Sequence, residues 1–290
     1  MKILLLGSNG QLGHDIVKMN ALSHDPFMIQ AWTRNQLDIS TLDNIKTTLE
    51  KTSFDVLINC TSYHQTDQVE KNPHLAFIIN AFAVKEMANV CREKKALFLH
   101  ISTDYVFNDS KDNTPLEETA CPAPLNIYGA SKLMGESLSQ AVHDTTIIFR
   151  VASLFGVAGA SGKGGNFVET MIRIGREKGT IHVIADQIMS PTSTTSIANM
   201  ILMALRKKIP AGIYHAVNTG SASWYEFAKN IIEKAQIKAV VHPIKAAEYP
   251  SIAVRPSYSA LSNQKLARLI GQIPSWQEAL DSYLIEKNGR

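Results

Sequence analysis

A short apolar run followed at once by a glycine-rich turn constrains the fold of this chain most. Residues 2–6 read KILLL, which is typical of a buried parallel strand, and residues 7–13 read GSNGQLG. Gly7, Gly10 and Gly13 allow a sharp turn and a close approach of a pyrophosphate, and the helix that follows offers free N–H groups. The stretch predicts a phosphate-binding loop, although a strand–helix turn without a ligand can carry the same pattern.

The rest of the first half repeats this alternation of strand-like and helix-like segments. Apolar runs predict further strands at 27–32, 54–60, 96–102 and 145–150. Repeated β–α–β units with apolar strands indicate an α/β protein with a Rossmann-like, doubly wound parallel sheet covered by helices on both faces. We expect residues 1–150 to form an NAD(P)-binding domain.

The second half is less regular. Helices are predicted at 220–235, in the second part of 254–271 and at 275–287, and Ser223 with Glu226 forms the pattern of a capping box. We expect residues 151–290 to form a smaller C-terminal α/β lobe that holds most of the substrate, with some segments returning to the first domain.

Composition and charge exclude several classes of protein. The 290 residues are 45% hydrophobic and 19% charged, which is typical of a globular protein, and a net charge of +3 without a basic block gives no support for nucleic-acid binding. Cys60, Cys91 and Cys121 are odd in number and far apart, which argues against a disulfide framework or a zinc site. No apolar run reaches the ~20 residues of a membrane helix. We therefore expect a cytoplasmic protein without a metal or a membrane partner.

Two segments bring together residue types that suit proton transfer. Thr103 and Asp104 follow a predicted strand, and ligands gather at the carboxyl ends of strands in a doubly wound sheet. Tyr128 and Lys132 lie four residues apart in NIYGASKLMGE (126–136) and share a helix face. Such a pair alone is typical of ordinary helix surface. Beside a nicotinamide ring, however, a hydroxyl, a phenol and an ammonium can act on one carbonyl group.

The segment after the second predicted strand bears on the choice of cofactor. It reads AWTRNQ (31–36), with Arg34 in place of the acidic residue that often binds the ribose diol of NAD. Arg34 can pair with the 2′-phosphate of NADP, so the sequence favours NADPH and keeps NADH as a second cofactor. A solvated loop arginine is the alternative. Asp38 either accepts a hydrogen bond from the adenine amine or caps the next helix.

Four motifs in order carry a resemblance to a known family: GSNGQLG (7–13), NCTSYHQTD (59–67), STDYVF (102–107) and YGASK (128–132). Together they resemble the extended short-chain dehydrogenase/reductases. More closely, the chain is similar to the dTDP-4-dehydrorhamnose reductase family. The segments GGNFVETMIR (164–173), DQIMSPTST (186–194) and VRPSYSAL (254–261) extend the resemblance over essentially the whole chain.

The resemblance implies NAD(P)H-dependent reduction of the C4 ketone of a dTDP-linked 4-keto-6-deoxyhexose. Tyr128 would act as the general acid, and Thr103 would hydrogen-bond the ketone oxygen. Lys132 would hold the nicotinamide ribose and lower the pKa of the Tyr128 phenol from its usual value of about 10. The resemblance also allows a homodimer.

The residues found from the pattern and those that the resemblance assigns together form a cofactor set and a substrate set. The cofactor set comprises Gly7, Gly10, Gln11, Leu12, Gly13, Arg34, Asp38, Ile39, Thr61, Ser62 and Tyr63, besides Tyr128 and Lys132. The substrate set comprises Thr103, Asp104, Ser153, Asn166, Gln187 and Arg255. Three of these also suit a structural role: a helix cap for Asn166, a turn for Gln187 and a surface salt bridge for Arg255.

One departure from the family pattern leaves the substrate open. RVASLFG (150–156) has Ser153 where the family carries a tryptophan near the sugar, so a flat wall is lost. A related 4-keto sugar, giving 6-deoxytalose, a branched sugar or a streptose-like product, is therefore a second candidate. A non-catalytic NADP-binding regulatory subunit and a 4,6-dehydratase or epimerase that retains NAD are further candidate functions.

Overall fold

The computed structural model describes residues 1–110, 112–159 and 165–289. The strands are β1 (Lys2–Leu6), β2 (Met28–Trp32), β3 (Val56–Asn59), β4 (Leu97–Thr103), β5 (Thr146–Val151), β6 (Leu154–Phe155), β7 (Thr180–Ile184), β8 (Ile188–Met189), β9 (Thr192–Ser193), β10 (Gly212–His215), β11 (Ala222–Ser223) and β12 (Val240–Ile244). The helices are α1 (Gln11–Ala21), α2 (Leu42–Glu50), α3 (Thr66–Lys71), α4 (Pro73–Phe77), α5 (Ala83–Lys94), α6 (Ile127–Val142), α7 (Phe167–Lys178), α8 (Thr194–Lys207), α9 (Trp224–Lys234), α10 (Gln264–Ile270) and α11 (Trp276–Asn288).

A parallel sheet forms the centre of the protein. Its strand order is β10-β5-β4-β3-β1-β2, and every neighbouring pair runs parallel. The order reverses at β1, which pairs with β2 on one side and with β3 on the other. The predicted Rossmann-like doubly wound fold is confirmed, and ligands bind at the carboxyl ends of the strands beside such a reversal.

Both faces of the sheet are buried at β1, which explains why this strand is apolar from Ile3 to Leu6, after the exposed Lys2. Ile3 and Leu5 of β1 pack into a core with α1, α8 and α10, whereas Leu4 and Leu6 pack into a second core with α2 and α5. Side chains alternate between the two faces along a strand, so one five-residue run serves both cores.

The second half of the chain contributes to the sheet and also has a core of its own. β10 pairs with β5, and α8 packs against α1. A separate apolar cluster, which includes Phe155, Phe227 and Trp276, lies between α7, α9 and α11. The boundary near residue 150 stays a prediction, with β10 and α8 as segments that return to the first half.

Side-chain caps begin some helices and not others. The predicted capping box of α9 is confirmed, since Ser223 Oγ accepts from Glu226 N at 3.1 Å. At α2, Thr41 occupies the N-cap position without a capping hydrogen bond from its side chain. Between α4 and α5 lies a π-helical turn, Ile78–Phe82, at which the buried Asn80 side chain bonds to neighbouring segments.

Within the described ranges, none of the helices combines the length and the apolar character needed to cross a bilayer.

Candidate active site

A cavity of about 740 Å³ lies at the carboxyl ends of the central strands, and we call it the main cavity. It brings together most of the residues predicted from the sequence. Those that line it are Gly7, Gly10, Gln11, Leu12, Gly13, Arg34, Asp38, Ile39, Thr61, Ser62, Thr103, Asp104, Tyr128, Lys132, Ser153 and Asn166.

The glycine loop forms one end of the main cavity. Gly7 has a φ of +81°, and the N–H groups of Gly7 and Ser8 both donate to Trp32 O at 3.0 Å. A Cβ at Gly13 would collide with the Gly7 carbonyl oxygen, so the close passage of the loop over α1 requires glycine there. Gly10 precedes α1 without a side-chain cap, which leaves first-turn N–H groups for a ligand. These features fit the pyrophosphate of a dinucleotide.

Arg34 and Asp38 form an ion pair with each other at the edge of this loop. Arg34 Nη2 lies 2.8 Å from Asp38 Oδ2, and the Arg34 side chain is 76% exposed. The other oxygen of Asp38 accepts from the backbone N–H and the hydroxyl of Ser40. Burial raises the pKa of Asp38, but the hydrogen bonds from Ser40 and Arg34 outweigh it and hold the pKa below its usual value. Asp38 thus orders this loop and does not cap α2.

The end of β4 places Thr103 and Asp104 inside the main cavity. Thr103 Oγ1 donates to Asp104 Oδ1 at 3.0 Å and accepts from Tyr105 N at 3.2 Å. Ser259 Oγ donates to Asp104 Oδ2 at 2.7 Å. Burial raises the pKa of Asp104 to about 6, against the hydrogen bonds that favour the carboxylate.

Helix α6 carries Tyr128 in its first turn because of a side-chain cap. Asn126 Oδ1 accepts from Gly129 N at 2.8 Å. A Cβ at residue 129 would collide with the Tyr105 carbonyl oxygen, so glycine lets α6 approach the end of β4 closely. The rings of Tyr105 and Tyr128 meet edge to face, with centroids 5.8 Å apart. The phenol of Tyr128 is thereby fixed next to Thr103.

The predicted lowering of the Tyr128 pKa by Lys132 is wrong for this state of the protein. Burial raises the pKa of Tyr128 to about 12, and hydrogen bonds with Thr103 and Ser62 only partly offset it. The Lys132 amine contacts other groups, because Nζ lies 2.5 Å from Ile101 O and 3.0 Å from His100 Nε2. Burial lowers the pKa of Lys132 itself from 10.5 to about 7.

Two aromatic side chains that were not predicted line the main cavity beside Ser153. The rings of Phe167 and Trp224 lie 4.6 Å apart between centroids, and Ser153 has a left-handed backbone with a φ of +46°. These two rings give the main cavity an aromatic surface. The start of α9 was recognisable from the sequence, because Trp224 follows the Ser223 cap. No local sequence pattern, however, predicted that α9 packs against the main cavity.

Asn166 combines a position at the cavity with the role of a helix cap. It lines the main cavity, and its Oδ1 caps α7 by accepting from Glu169 N at 3.1 Å. Its Nδ2 donates to Gly156 O at 2.8 Å. The side chain is thus held rigidly at the cavity wall.

Three predicted residues lie outside the main cavity. Gln187 and Arg255 line a small neighbouring cavity that shares Asp104 and Trp224 with the main one. The Tyr63 backbone N–H and C=O bond to the Asn80 side chain at 2.9 and 3.0 Å, and Tyr63 itself does not line the main cavity although its neighbours Ser62 and His64 do.

Arg255, predicted to bind the substrate, forms a salt bridge, which is the alternative role that the sequence left open for it. Its Nη2 lies 3.2 Å from Asp67 Oδ2, and its Nη1 donates to Ala253 O at 3.1 Å. The ion pair connects α3 to the segment before α10. Among the described residues, no group of three or more His, Cys, Asp or Glu side chains is arranged to hold a metal ion.

Comparison with known proteins identifies the family of this chain. The family described as RmlD substrate binding domain matches residues 1–288. The spore coat polysaccharide biosynthesis protein SpsK of Bacillus subtilis is 32% identical over 287 residues, which cover 99% of this chain and 98% of that protein. The dTDP-4-dehydrorhamnose reductase of Salmonella typhimurium is 32% identical over 298 residues, covering 99% and 98%.

A solved structure shows the same relationship. The crystal structure of dTDP-4-dehydrorhamnose reductase from Bacillus anthracis in complex with NADP is 37% identical, with a TM-score of 0.89 over 98% of this chain and 99% of that one. Sequence and fold agree over nearly the full length of both proteins. The chain therefore belongs to the RmlD substrate binding domain family, and within it to the dTDP-4-dehydrorhamnose reductases and their relatives.

Proposed function

We propose that this chain catalyses the NADPH-dependent reduction of the C4 ketone of a dTDP-4-keto-6-deoxyhexose, most closely dTDP-4-dehydrorhamnose to dTDP-L-rhamnose. One observation carries the proposal: Thr103, Tyr128 and Lys132 line the same cavity as the glycine loop. Relatives named dTDP-4-dehydrorhamnose reductase, at 32% identity over almost the whole chain, support the substrate class.

Tyr128 supplies the proton of this reaction. Bound NADPH would supply the hydride to the C4 carbon. Because burial raises the pKa of Tyr128 to about 12, the phenol stays protonated at neutral pH, which is the state that a general acid needs. The Thr103 hydroxyl, next to the phenol, orients the ketone oxygen and stabilises charge that develops on it.

Of the remaining site residues, some bind the cofactor and others bind the sugar nucleotide. Arg34 is exposed and charged at the place where a 2′-phosphate would lie, and the Bacillus anthracis relative was solved with NADP. Asp104, at the other side of Thr103, is placed to accept a hydrogen bond from a sugar hydroxyl.

In this proposal residues 1–150 bind the cofactor and residues 151–290 bind mainly the sugar nucleotide. NADH as a second cofactor, the homodimer and the cytoplasmic location stay predictions.

A related keto sugar is the second candidate substrate. The observation in its favour is the small Ser153 side chain at the main cavity, which Phe167 and Trp224 also line. A small side chain at this position leaves room for a different C4 configuration or decoration on the sugar.

The direct experiment mixes the purified protein with NADPH and dTDP-4-dehydrorhamnose. NADPH oxidation is followed by absorbance, and the product is identified by NMR. We expect stoichiometric oxidation and dTDP-L-rhamnose. Turnover of only a different dTDP-4-keto sugar would select the second candidate. NADPH binding without oxidation of any such sugar would indicate a regulatory subunit, and tightly bound NAD without net oxidation would indicate a dehydratase or epimerase.

A further inference from the structure

One asparagine joins two sides of the candidate active site. Asn126 precedes α6, and it is only 7% exposed. Its Oδ1 accepts from Gly129 N at 2.8 Å, and its Nδ2 donates to Val254 O at 2.8 Å. A backbone N–H can only donate and a carbonyl oxygen can only accept, so these partners fix the orientation of the amide. The same side chain therefore holds the turn that carries Tyr128 and a segment 128 positions later in the chain.

That segment, residues 251–256, lies outside the helices and strands, and we call it the strap. The side chains of Ile252 and Val254 are 57% and 61% exposed. Among the apolar side chains of the strap, the buried ones are the small Ala253 and Pro256. Little apolar surface is available to fix the strap, so we expect polar contacts to hold it in place.

Helix α3 is a second anchor of the strap and also contacts the start of α6. Asp67 Oδ1 accepts from Ala253 N at 3.0 Å. Glu70, three positions later on the same face of α3, accepts from Ile127 N, the first N–H of α6, at 2.7 Å. The strap, α3 and the start of α6 are thus connected pairwise, and Asn126 is the side chain that links the strap to α6 directly.

The strap also forms part of the wall on the sugar-nucleotide side of the site. Arg255 and Pro256 line the small neighbouring cavity, and the guanidinium has the charge and geometry that suit a diphosphate. Tyr105 lines both cavities, and its ring packs edge to face against Tyr128. The position of the strap relative to Tyr128 therefore bears on how a sugar nucleotide would fit.

We propose that Asn126 is a positioning residue that ties the strap to the turn carrying Tyr128, so that the wall for the sugar nucleotide is in place before the ligand binds. The amide oxygen holds the turn of Tyr128, and the amide nitrogen holds the strap. A ligand that meets an ordered strap does not have to order it, and such preorganisation increases affinity. The inference rests on the proposed function for the identity of the ligand.

The two contacts of the amide can be separated by substitution. Asn126→Ser keeps a side-chain oxygen that can cap α6 but loses the donor to Val254 O, whereas Asn126→Ala loses both. Asn20→Ser is the matched control. Asn20 is also 7% exposed, and its amide also donates through Nδ2 and accepts through Oδ1, in its case with Phe27. It is not among the residues that line either cavity.

Amide hydrogen exchange tests the strap without any ligand. The Ala253 amide donates to Asp67 and so reports whether the strap is in place. We expect this amide to exchange about fivefold faster or more in Asn126→Ser than in the wild-type protein, which is the factor that one hydrogen bond typically contributes. In Asn20→Ser we expect the wild-type rate. Equal rates in Asn126→Ser and the wild type would overturn the proposal.

Calorimetric titration with dTDP and with NADPH tests the preorganisation. We expect Asn126→Ser to bind dTDP about fivefold or more weakly and NADPH as tightly as the wild type does. In turnover, Asn126→Ser should raise KM for the dTDP-4-keto sugar and leave kcat near the wild-type value. Asn126→Ala should also lower kcat, because the turn of Tyr128 loses its cap. Equal losses of affinity for dTDP and NADPH in Asn126→Ser would show a general structural role and contradict the proposal.

These results separate the inference from the proposed function. If the wild-type protein binds dTDP and Asn126→Ser binds it equally well, the inference is wrong and the proposed function stands. If the wild-type protein does not bind dTDP, the proposed function is wrong, and the exchange rate of Ala253 alone decides whether Asn126 holds the strap. If Asn126→Ser does not fold, a crystal structure of the wild-type protein with dTDP decides: the proposal requires Asn126 Nδ2 to contact Val254 O there, and loss of that contact overturns it.

Discussion

Arg150 and Glu136 form an ion pair inside the protein, with Arg150 Nη2 2.6 Å from Glu136 Oε2 and each side chain 2% exposed. Glu136 lies one turn after Lys132 on α6, and Arg150 lies on β5, so the pair joins the helix of the candidate site to the sheet. The Ser102 hydroxyl also donates to Glu136, next to Thr103. The pair therefore holds α6 in register with the strand ends that form the main cavity.

Removing one partner of this pair should cost much of the protein's stability. In Glu136→Gln the Arg150 guanidinium stays buried without its counter-charge, and we expect the free energy of unfolding to fall by about 3–5 kcal/mol. Urea denaturation measures it. The exposed pair of Arg173 and Glu177 is the control, since Glu177→Gln should change stability by less than about 1 kcal/mol. Equal losses in the two variants would show that the buried pair does not anchor α6.

The low pKa of Lys132 should appear in the pH dependence of stability. Its pKa is about 7 in the folded protein against an ordinary 10.5, so the unfolded chain binds more protons between these values. Stability should therefore rise with pH across this window, by more than about 1 kcal/mol relative to Lys132→Met. Urea denaturation over that pH range measures the difference. Parallel curves for the two proteins contradict the pKa shift, and the exposed Lys46→Met serves as the control.

Trp224 should determine binding of the sugar nucleotide. It lines the main cavity together with Ser153 and Phe167, so Trp224→Ala removes a large contact area. We expect KM for the dTDP-4-keto sugar to rise about tenfold or more, with KM for NADPH unchanged, while Trp224→Phe keeps most of the binding. Steady-state kinetics with each substrate varied separately makes the comparison. An equal rise in both KM values would point to general disruption of the lobe.

Arg34 should determine preference between the two nicotinamide cofactors. Its guanidinium pairs with Asp38 but is largely exposed, so a 2′-phosphate can compete for it. We expect Arg34→Gln to weaken NADPH binding about tenfold and to leave NADH binding nearly unchanged. Fluorescence titration with each cofactor measures both affinities. If the variant binds NADPH as tightly as the wild type does, Arg34 serves only the ion pair.

The sequence predicted those features that depend on local pattern. Residues 3–6 of the strand KILLL are apolar because both sheet faces are buried there, and the glycine loop is required by the positive φ of Gly7 and the close packing at Gly13. The positions of Tyr128 and Lys132 in the main cavity were predicted from the resemblance of YGASK and the other ordered motifs to the reductase family, because the spacing of the pair alone is typical of ordinary helix surface. Each of these sequence patterns lies within one strand or helix or within two that follow each other in the chain.

Features that depend on distant contacts were missed or reversed. His100 bonds to Lys132 from 32 positions away in the chain, and Asp67 pairs with Arg255 from another part of the chain. The direction of the Tyr128 pKa shift was reversed because burial, which a charge argument from spacing leaves out, exceeds the other contributions. Trp224 was missed because only the packing of the C-terminal lobe places α9 at the cavity.

The most direct measurement compares NADPH oxidation by wild-type protein and Tyr128→Phe with dTDP-4-dehydrorhamnose as substrate. Tyr214→Phe, a buried tyrosine outside the main cavity, is the control. If Tyr128 is the proton donor, kcat of Tyr128→Phe falls by about 100-fold or more while NADPH affinity and stability stay near those of the wild type. A Tyr128→Phe protein that turns over at the wild-type rate would contradict the account.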